Sequence, residues 1–183
     1  MSVFIIAEVG VNHNGDFDTA CRMVDVAVDA GVDAVKFQTF SAEDLVTDST
    51  EQAAYQKREA GQYQSQKEML RDLELTHDSF KKLSQYTTDK GVQFLSTPFD
   101  PRSLAFLIND LKIETLKIPS GEITNGPFLY ECAATGKDMI LSTGMSTLSE
   151  IEVALKVLYC GYDRIAIQAI EEVCKKTPLS VVA

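Results

Sequence analysis

Apolar and polar positions alternate in blocks along this 183-residue chain, and the blocks predict alternating strands and helices. Five short apolar runs end in polar or glycine-containing turns, and helical spacing of apolar residues follows them; the runs cover residues 3–10, 33–40, 92–100, 114–122 and 138–146. The runs are continuous rather than alternating, which is typical of parallel strands covered by helices on both faces. We therefore expect an α/β fold of about five βα units, with functional groups at the carboxyl ends of the strands.

Capping residues mark several helix boundaries. Asp100 followed by Pro101 predicts an N-cap with proline at the first helical position. Thr147 and Glu150 have the spacing of a capping box in front of an apolar-periodic stretch. The first helix is expected to end at Gly31, because glycine commonly follows the last helical turn.

Residues 41–75 interrupt the βα pattern. The segment is polar, rich in glutamine and too long for an ordinary connection between a strand and a helix. We interpret it as a partly helical excursion over the site end of the strands that could serve as a substrate lid. A solvated insertion without a role in binding is the alternative.

Net charge, apolar runs and cysteine spacing argue against several classes of function. The chain carries a formal charge of −10 and no basic stripe, which argues against nucleic acid or an anionic membrane as a partner. It contains no apolar run of eighteen residues and no N-terminal signal pattern, so we expect one cytoplasmic domain, residues 1–183. The cysteines are expected to be reduced thiols, because their spacing fits neither a disulfide framework nor a zinc site; they are Cys21, Cys132, Cys160 and Cys174.

Polar side chains gather at the ends of the five runs, where the chemistry of such a fold is expected: Glu8, Lys36, Gln38, Ser96, Thr97, Lys117, Ser120, Glu122, Ser142 and Thr143. Lys36 and Lys117 lie in otherwise apolar strands, and a buried ammonium group needs a counter-charge and hydrogen bonds. Glu8 and Glu122 could be internal counter-ions that only tie strands together. Alternatively, an anionic ligand such as a phosphate completes the set with serine hydroxyls and backbone amides, and we favour this hypothesis.

The two histidines do not predict a metal site by themselves. His13, in a VNHNGD turn, fits a side chain satisfied by local backbone better than it fits a metal ligand. His77 is expected at a surface helix start. No phosphate-binding glycine motif of a nucleotide site is present.

Five strings, together with their order and spacing, resemble the N-terminal barrel of the N-acetylneuraminate (sialic acid) synthase family: FIIAEVGVNHNGDF, GVDAVKFQTF, FLSTPFD, LKIPSGEI and LSTGMSTLSEIE. The resemblance extends over residues 3–158, and KFQTF fits the neuraminate and legionaminate branches better than the pseudaminate branch. It implies a (β/α)8 TIM barrel and condensation of phosphoenolpyruvate with an N-acetyl amino sugar such as N-acetylmannosamine. It also implies a divalent metal, manganese or magnesium.

The resemblance also implies roles for individual residues. Phosphoenolpyruvate would be bound through its phosphate and carboxylate by Lys117, Ser120 and Ser142, with Lys36 and Thr97 beside them. Glu8 and Gln38 would contact the sugar. Glu122 would manage a proton, on the water that attacks the oxocarbenium carbon.

The tail, residues 159–183, does not continue the motifs of this family. The metal-ligating histidines and later site residues of the family are missing, so the barrel is expected to be incomplete and the chain truncated. Open edge strands would then favour a homo-oligomer or aggregation. A helix is expected within the tail, because Ile167, Ile170 and Val173 have helical spacing.

Three functions therefore stand open at the level of the sequence. The first is a nonulosonic acid synthase, active when the missing half is supplied. The second is a catalytically dead module that binds phosphoenolpyruvate or a sugar phosphate. The third is an aldolase that forms a Schiff base through Lys117, whose burial would lower its pKa.

Overall fold

The structure is a computed structural model that describes residues 3–46 and 65–163. The chain divides into two compact units, Met1–Ile113 and Glu114–Ala183, which are described separately below. Each of the five predicted apolar runs contains a strand, and all the strand pairings formed by these five strands are parallel. The expectation of an α/β fold with parallel sheets flanked by helices is confirmed.

Within its described residues, 3–46 and 65–113, the first unit holds three strands and five helices of unequal length. In chain order they are β1 Ile6–Gly10, α1 Phe17–Asp29, β2 Ala34–Thr39, α2 Ala42–Leu45, α3 Gln66–Leu73, α4 His77–Asp89, β3 Gln93–Pro98 and α5 Pro101–Asn109. The strands form one parallel sheet in the order β1-β2-β3. One face of β2 is buried through its odd-numbered side chains, among them Val35 and Phe37, and Phe37 stacks on Phe94 of β3.

The predicted helix signals of this unit are confirmed. Asp100 is the N-cap of α5 and accepts a hydrogen bond from the Ser103 amide at 2.7 Å, with Pro101 at the first helical position. Helix α1 ends at Asp29, two residues before Gly31, which has a φ of +76°. A residue with a side chain resists this left-handed backbone, so glycine suits the turn that leads into β2.

The two ends of the 41–75 excursion are helical, as expected, and they contact each other. The Glu74 carboxylate accepts a hydrogen bond from the Ala42 amide at 3.0 Å. Glu43 of α2 pairs with Lys67 and Arg71 of α3, and these partners, Lys67 first, lower the pKa of Glu43 to about 2. The part of the excursion at 47–64 lies outside the described residues, so its role as a lid stays a prediction.

The part of the second unit that the structure describes, residues 114–163, holds two strands and two α-helices. In chain order the elements are β4 Thr115–Ile118, a 3₁₀ turn Ser120–Glu122, α6 Gly126–Ala134, β5 Asp138–Leu141 and α7 Leu148–Tyr162. The strands pair in parallel, and α6 packs against α7. The capping box is confirmed, since the Glu150 amide donates to the Thr147 hydroxyl and the Glu150 carboxylate accepts from the Thr147 amide.

Both strands of the second unit are shorter than the apolar runs that predicted them. Strand β4 ends at Ile118 because Pro119, which follows, has no N–H to donate and the chain turns into the 3₁₀ segment. Strand β5 ends at Leu141, and only the Ser142 amide continues the ladder, donating to Ile118 at 3.0 Å.

Hydrogen bonding groups the strands of the described residues into one sheet of three and one sheet of two. Strand β1 pairs on one side with β2 alone within the described part of the chain, and the residues before it, Val3, Phe4 and Ile5, are exposed apolar side chains. The expected association would bury this surface, and the assembly state stays a prediction. None of the helices described is both long enough and apolar enough to cross a bilayer.

Candidate active site

An acid–base pair lies on one face of the three-stranded sheet. Glu8 of β1 is aligned with Lys36 of β2, and the Lys36 ammonium forms an ion pair with the Glu8 carboxylate. The Lys36 side chain is 13% exposed, whereas that of Glu8 is 48% exposed. The counter-ion hypothesis therefore holds for Lys36, while the carboxylate side of the pair remains open to a ligand.

Two further predicted residues lie on the same face. Gln38 follows Lys36 by two positions, which places both side chains on one side of the strand, and it is aligned with Thr97 of β3. Thr97 is 2% exposed, and its Oγ1 has no hydrogen-bond partner among the described residues. A buried hydroxyl without a partner costs about 1–3 kcal/mol, so a polar group of a ligand or water is expected to meet it.

Gly10 explains how Glu8 and Gln38 come close to the end of β1. Its φ is +57°, and a Cβ at this position would lie 3.1 Å from Glu8 Oε1 and 3.4 Å from Gln38 Nε2. The strand register shifts between Glu8 and Gly10, so that Gly10 is aligned with Phe37. The irregularity and the missing side chain together let the carboxylate and the carboxamide approach one point.

Ser96, which the sequence grouped with Thr97, lies on the opposite face of the sheet. Its hydroxyl shares a 2.7 Å hydrogen bond with the Thr39 hydroxyl, and both residues are buried. Neighbouring residues of a strand point to opposite faces, so only Thr97 of this polar pair belongs to the candidate site.

In the second unit, three predicted phosphate-binding residues lie at one end of the two-stranded sheet. Half-buried Lys117 is aligned with Ile140, and Ser142 follows Ile140 by two positions, directly after the end of β5. A Cβ on Gly144 would lie 3.5 Å from the Ser120 hydroxyl oxygen. The turn after β4 and the turn after β5 thus approach each other closely, as expected for a group of hydroxyls and backbone amides around an anion.

Glu122 lies in the 3₁₀ turn and contacts the start of α6. Its carboxylate accepts a hydrogen bond of 2.7 Å from the Asn125 side-chain amide, and Asn125 in turn caps α6 by accepting from the Phe128 amide at 3.3 Å. Glu122 is therefore hydrogen-bonded to the residue that caps α6. Its expected role in proton transfer stays a prediction, as does a shared pocket for Lys36 and Lys117, which belong to different units.

His13 differs in one respect from its sequence interpretation. Its Nδ1 accepts a hydrogen bond of 3.1 Å from the Gly15 amide, as expected of a turn residue satisfied by backbone. However, the side chain is only 1% exposed, and Nε2 has no partner among the described residues. Burial lowers the pKa of His13 against the opposing effect of Asp16. His77 is exposed at the start of α4, as predicted, and stacks on Phe106 with ring centroids 3.8 Å apart.

Sequence reasoning did not foresee two contacts that hold the loops around the site. The buried Asp100 carboxylate accepts from the Ser41 amide at 3.1 Å in addition to capping α5, so it ties the loop after β2 to the loop after β3. A Cβ on Gly15 would lie 2.3 Å from the carbonyl oxygen of Asp72, which brings the loop after β1 against α3. A glycine beside an asparagine signals a turn, but no local signal reveals a neighbour distant in sequence.

Cysteine and metal chemistry have little support within the described residues. Cys21 and Cys132 are free thiols, and burial raises the pKa of Cys132 to about 12; Cys174 lies outside the described residues. The described part of the chain holds no group of three histidine, cysteine, aspartate or glutamate side chains that could bind a metal ion.

Comparison with known proteins decides the family. The model of the NeuB family matches residues 23–176, which is most of the chain. The chain belongs to the NeuB family. The match runs beyond residue 158, where the resemblance seen in the motifs ends, and therefore includes much of the tail.

Named NeuB relatives are synthases of nonulosonic acids. The chain is 50% identical over 155 residues to the N,N'-diacetyllegionaminic acid synthase of Legionella pneumophila, covering 85% of this chain and 43% of the relative. It is 31% identical over 155 residues to the human N-acetylneuraminate-9-phosphate synthase, covering 85% and 43%. The chain therefore spans less than half the length of these curated relatives.

A solved NeuB structure shares the fold. The crystal structure of the N-acetylneuraminic acid synthetase of Leptospira borgpetersenii in complex with citrate aligns with a TM-score of 0.72 and 30% identity. The alignment covers 97% of this chain and 62% of that one. Such neighbours are TIM-barrel-like. NeuB synthases are in general metal-dependent, and the described residues of this chain do not supply a metal site of their own.

Proposed function

We propose that this chain carries the phosphoenolpyruvate-binding and sugar-binding residues of a nonulosonic acid synthase. The observation that carries the proposal is the polar face formed by Glu8, Lys36, Gln38 and Thr97 in aligned positions of three parallel strands of a NeuB chain. Gln38 and Thr97 lie next to the carboxyl ends of β2 and β3, which is where ligands bind in this fold class.

Phosphoenolpyruvate would be bound by cations and hydroxyls. Lys117, Ser120 and Ser142 would hold its phosphate and carboxylate, and the close approach of Ser120 to the Gly144 backbone supports a compact anion site. In the first unit, Lys36 and Thr97 are the residues proposed to take part in anion binding. The partnerless Thr97 hydroxyl supports this role, because a ligand oxygen would satisfy it.

The amino sugar would be bound by Glu8 and Gln38. Glu8 is half-exposed, and its Oε1 and the Gln38 amide both lie close to Gly10, so that an acceptor and a donor face a ligand together. A sugar with hydroxyl and N-acetyl groups requires both kinds of partner. The 50% identity to a diacetyllegionaminic acid synthase favours an N-acetylated hexose as substrate.

The proposed reaction joins the two substrates through a new carbon–carbon bond. The enol carbon of phosphoenolpyruvate attacks the aldehyde carbon of the open-chain sugar, and the aldehyde oxygen takes up a proton. Water adds to the resulting oxocarbenium carbon and gives up a proton, for which Glu122 is the proposed acceptor. The tetrahedral intermediate then expels inorganic phosphate, and the cations around the phosphate stabilise the charge as it leaves.

A binding module without turnover is the second candidate. The internal ion pair of Lys36 with Glu8 and the lack of a metal-binding cluster among the described residues favour it. A Schiff-base aldolase acting through Lys117 is a third possibility, which a failure to trap a covalent adduct of pyruvate with borohydride would remove.

The decisive experiment separates binding from turnover. Titration calorimetry with phosphoenolpyruvate and with N-acetylmannosamine would measure binding, and phosphate release from both substrates with Mn²⁺ would measure turnover. We expect Lys117→Met and Ser142→Ala to weaken phosphoenolpyruvate binding about tenfold or more, because each loses a contact to a charged ligand. Lys82→Met is the matched control, since Lys82 is an exposed lysine of α4.

Each outcome assigns a function. Phosphate release that requires both substrates establishes the synthase. Binding without release leaves the binding module. If neither substrate binds, or if Lys82→Met weakens binding as much as Lys117→Met, the proposed site is wrong.

A further inference from the structure

The loop between β1 and α1 is organised around the imidazole of His13. Three backbone hydrogen bonds of 3.0 Å define its turns, from Asn12 to Val9, from Asn14 to Val11 and from Asp16 to His13. Inside these turns the His13 ring is buried, with its centroid 6.3 Å from that of Phe37. A polar residue from a loop is therefore packed inward, against the sheet.

The hydrogen bond from Gly15 determines which nitrogen of His13 carries the proton. The Gly15 amide is a donor, so Nδ1 must accept and cannot carry a proton. A neutral ring in this position holds its hydrogen on Nε2, and this N–H has no acceptor among the described residues. A buried donor without a partner is destabilising, so the Nδ1 contact and the packing must compensate for it.

His13 lies between the strand ends and a helix. On one side it contacts Phe37, which is aligned with Gly10 and separates Lys36 from Gln38 along β2. On the other side its partner Gly15 lies so close to the Asp72 carbonyl that a Cβ would be 2.3 Å from the oxygen. The imidazole thus connects the backbone that shapes the candidate sugar site with the end of α3.

We propose that His13 is a positioning residue for the sugar site, acting through Nδ1 on the Gly15 amide. It holds the loop in the one arrangement that leaves Gly10 beside Glu8 and Gln38. Direct contact with a ligand through Nε2 is opposed by the 1% exposure of the side chain. This inference rests on the proposed function only in the experiments that measure sugar binding.

Two nearly isosteric variants of His13 distinguish the role of Nδ1 from that of Nε2. In His13→Asn the side-chain oxygen can take the place of Nδ1 and accept from Gly15, whereas His13→Gln places its amide near Nε2 and loses that acceptor. We expect N-acetylmannosamine to bind to His13→Asn within about twofold of the unaltered chain. We expect His13→Gln to bind about tenfold more weakly, the loss of roughly one hydrogen bond. The opposite order would show that Nε2 carries the role and would overturn the proposal.

A measurement on the unaltered chain tests the loop without any ligand. Long-range proton–nitrogen NMR spectra at neutral pH should show a protonated Nε2 and an unprotonated Nδ1 in His13, together with a slowly exchanging Gly15 amide. A protonated Nδ1 or a fast-exchanging Gly15 amide overturns the proposal even if no variant folds. If the tautomer is as expected but N-acetylmannosamine binds to no form of the chain, the sugar site fails and the loop structure stands.

Discussion

Lys36 and Glu8 occupy aligned positions on neighbouring parallel strands, and the ammonium group of one pairs with the carboxylate of the other. The lysine is mostly buried, and the glutamate is about half-exposed. An anionic substrate that approaches Lys36 therefore competes with a carboxylate that already neutralises it. The pair sets the charge that phosphoenolpyruvate would meet in a protein with a net charge of −10.

Replacing Glu8 by glutamine should affect stability and anion binding in opposite directions. We expect the free energy of unfolding to fall by about 1 kcal/mol, because a half-exposed pair contributes modestly while Lys36 loses its counter-ion. Phosphoenolpyruvate should bind more tightly, since the ammonium no longer has a competing carboxylate. Urea denaturation and calorimetry measure the two effects.

The coupling between the two residues is obtained from a double-mutant cycle with Lys36→Met. The exposed pair of Lys81 with Asp110, 3.0 Å apart, is the control and should give a coupling energy near zero. Equal coupling in both pairs, or weaker anion binding by Glu8→Gln, would contradict this account of Lys36.

Acidification should destabilise the chain through His13. Burial holds the pKa of His13 below its usual value, with Asp16 as the nearby charge that opposes the effect. The unfolded chain therefore takes up the proton first. The stability that neutral His13 contributes is fully present above about pH 6.5 and is lost as the pH falls through the lowered pKa of the folded chain.

Urea denaturation at intervals between pH 7.5 and pH 5 would measure this loss. In His13→Asn the decline should disappear from that window. Carboxylates with lowered pKa, such as Glu43 at about 2, act mainly below about pH 4.5 and leave the window undisturbed. A decline that persists unchanged in the variant would show that another group is responsible.

Gly15→Ala should be among the most damaging substitutions in the loop after β1. The residue has a φ of +71°, and the new methyl group would lie 2.3 Å from the Asp72 carbonyl oxygen. We expect a loss of about 3 kcal/mol, the combined effect of backbone strain and steric displacement. Gly31→Ala is the matched control, because Gly31 has a φ of +76° and nothing within 4 Å of a new Cβ. It should cost only about 1 kcal/mol, and equal losses would rule out the steric contact.

Gly161→Ala should destabilise the second unit although alanine is the better helix former. Helix propensity alone would favour alanine by about 1 kcal/mol. However, the methyl group would lie 2.5 Å from the Ala133 Cβ and 2.7 Å from the Tyr130 carbonyl oxygen, where α7 crosses α6. We expect a net loss of about 1–3 kcal/mol in thermal or urea unfolding. Adding Ala133→Gly removes one of the two contacts and should restore part of the stability.

The sequence predicts the elements of the fold better than their ends. All five strands, the Asp100 cap and the Thr147 capping box follow from local patterns, because a strand or a cap depends on its own residues. Strand β4 ends because Pro119 cannot donate to the ladder, whereas the end of β5 depends on which partner backbone continues beside it. The apolar runs overestimate both strands, since hydrophobicity alone marks neither limit.

The candidate site, too, is predicted only in part by the sequence. Residue types and strand positions identify Glu8 and Lys36, but only the register makes them partners rather than separate ligand contacts. The pattern VNHNGD predicts a turn histidine satisfied by local backbone, but it does not reveal that His13 is buried near Phe37. Contacts between residues far apart in sequence decide both cases, and no local pattern contains them.

The two ends of the polar excursion, residues 41–75, are held together by side-chain contacts. Glu43 forms ion pairs with Lys67 and Arg71, and the Glu74 carboxylate accepts a hydrogen bond from the Ala42 amide. Because these contacts join the two ends, the segment between them can change in length at a small cost in loop-closure free energy, about 0.6 kcal/mol for each doubling. We therefore expect the length of this segment to change without loss of the three-stranded sheet. A short epitope inserted there should likewise leave the rest of the chain folded.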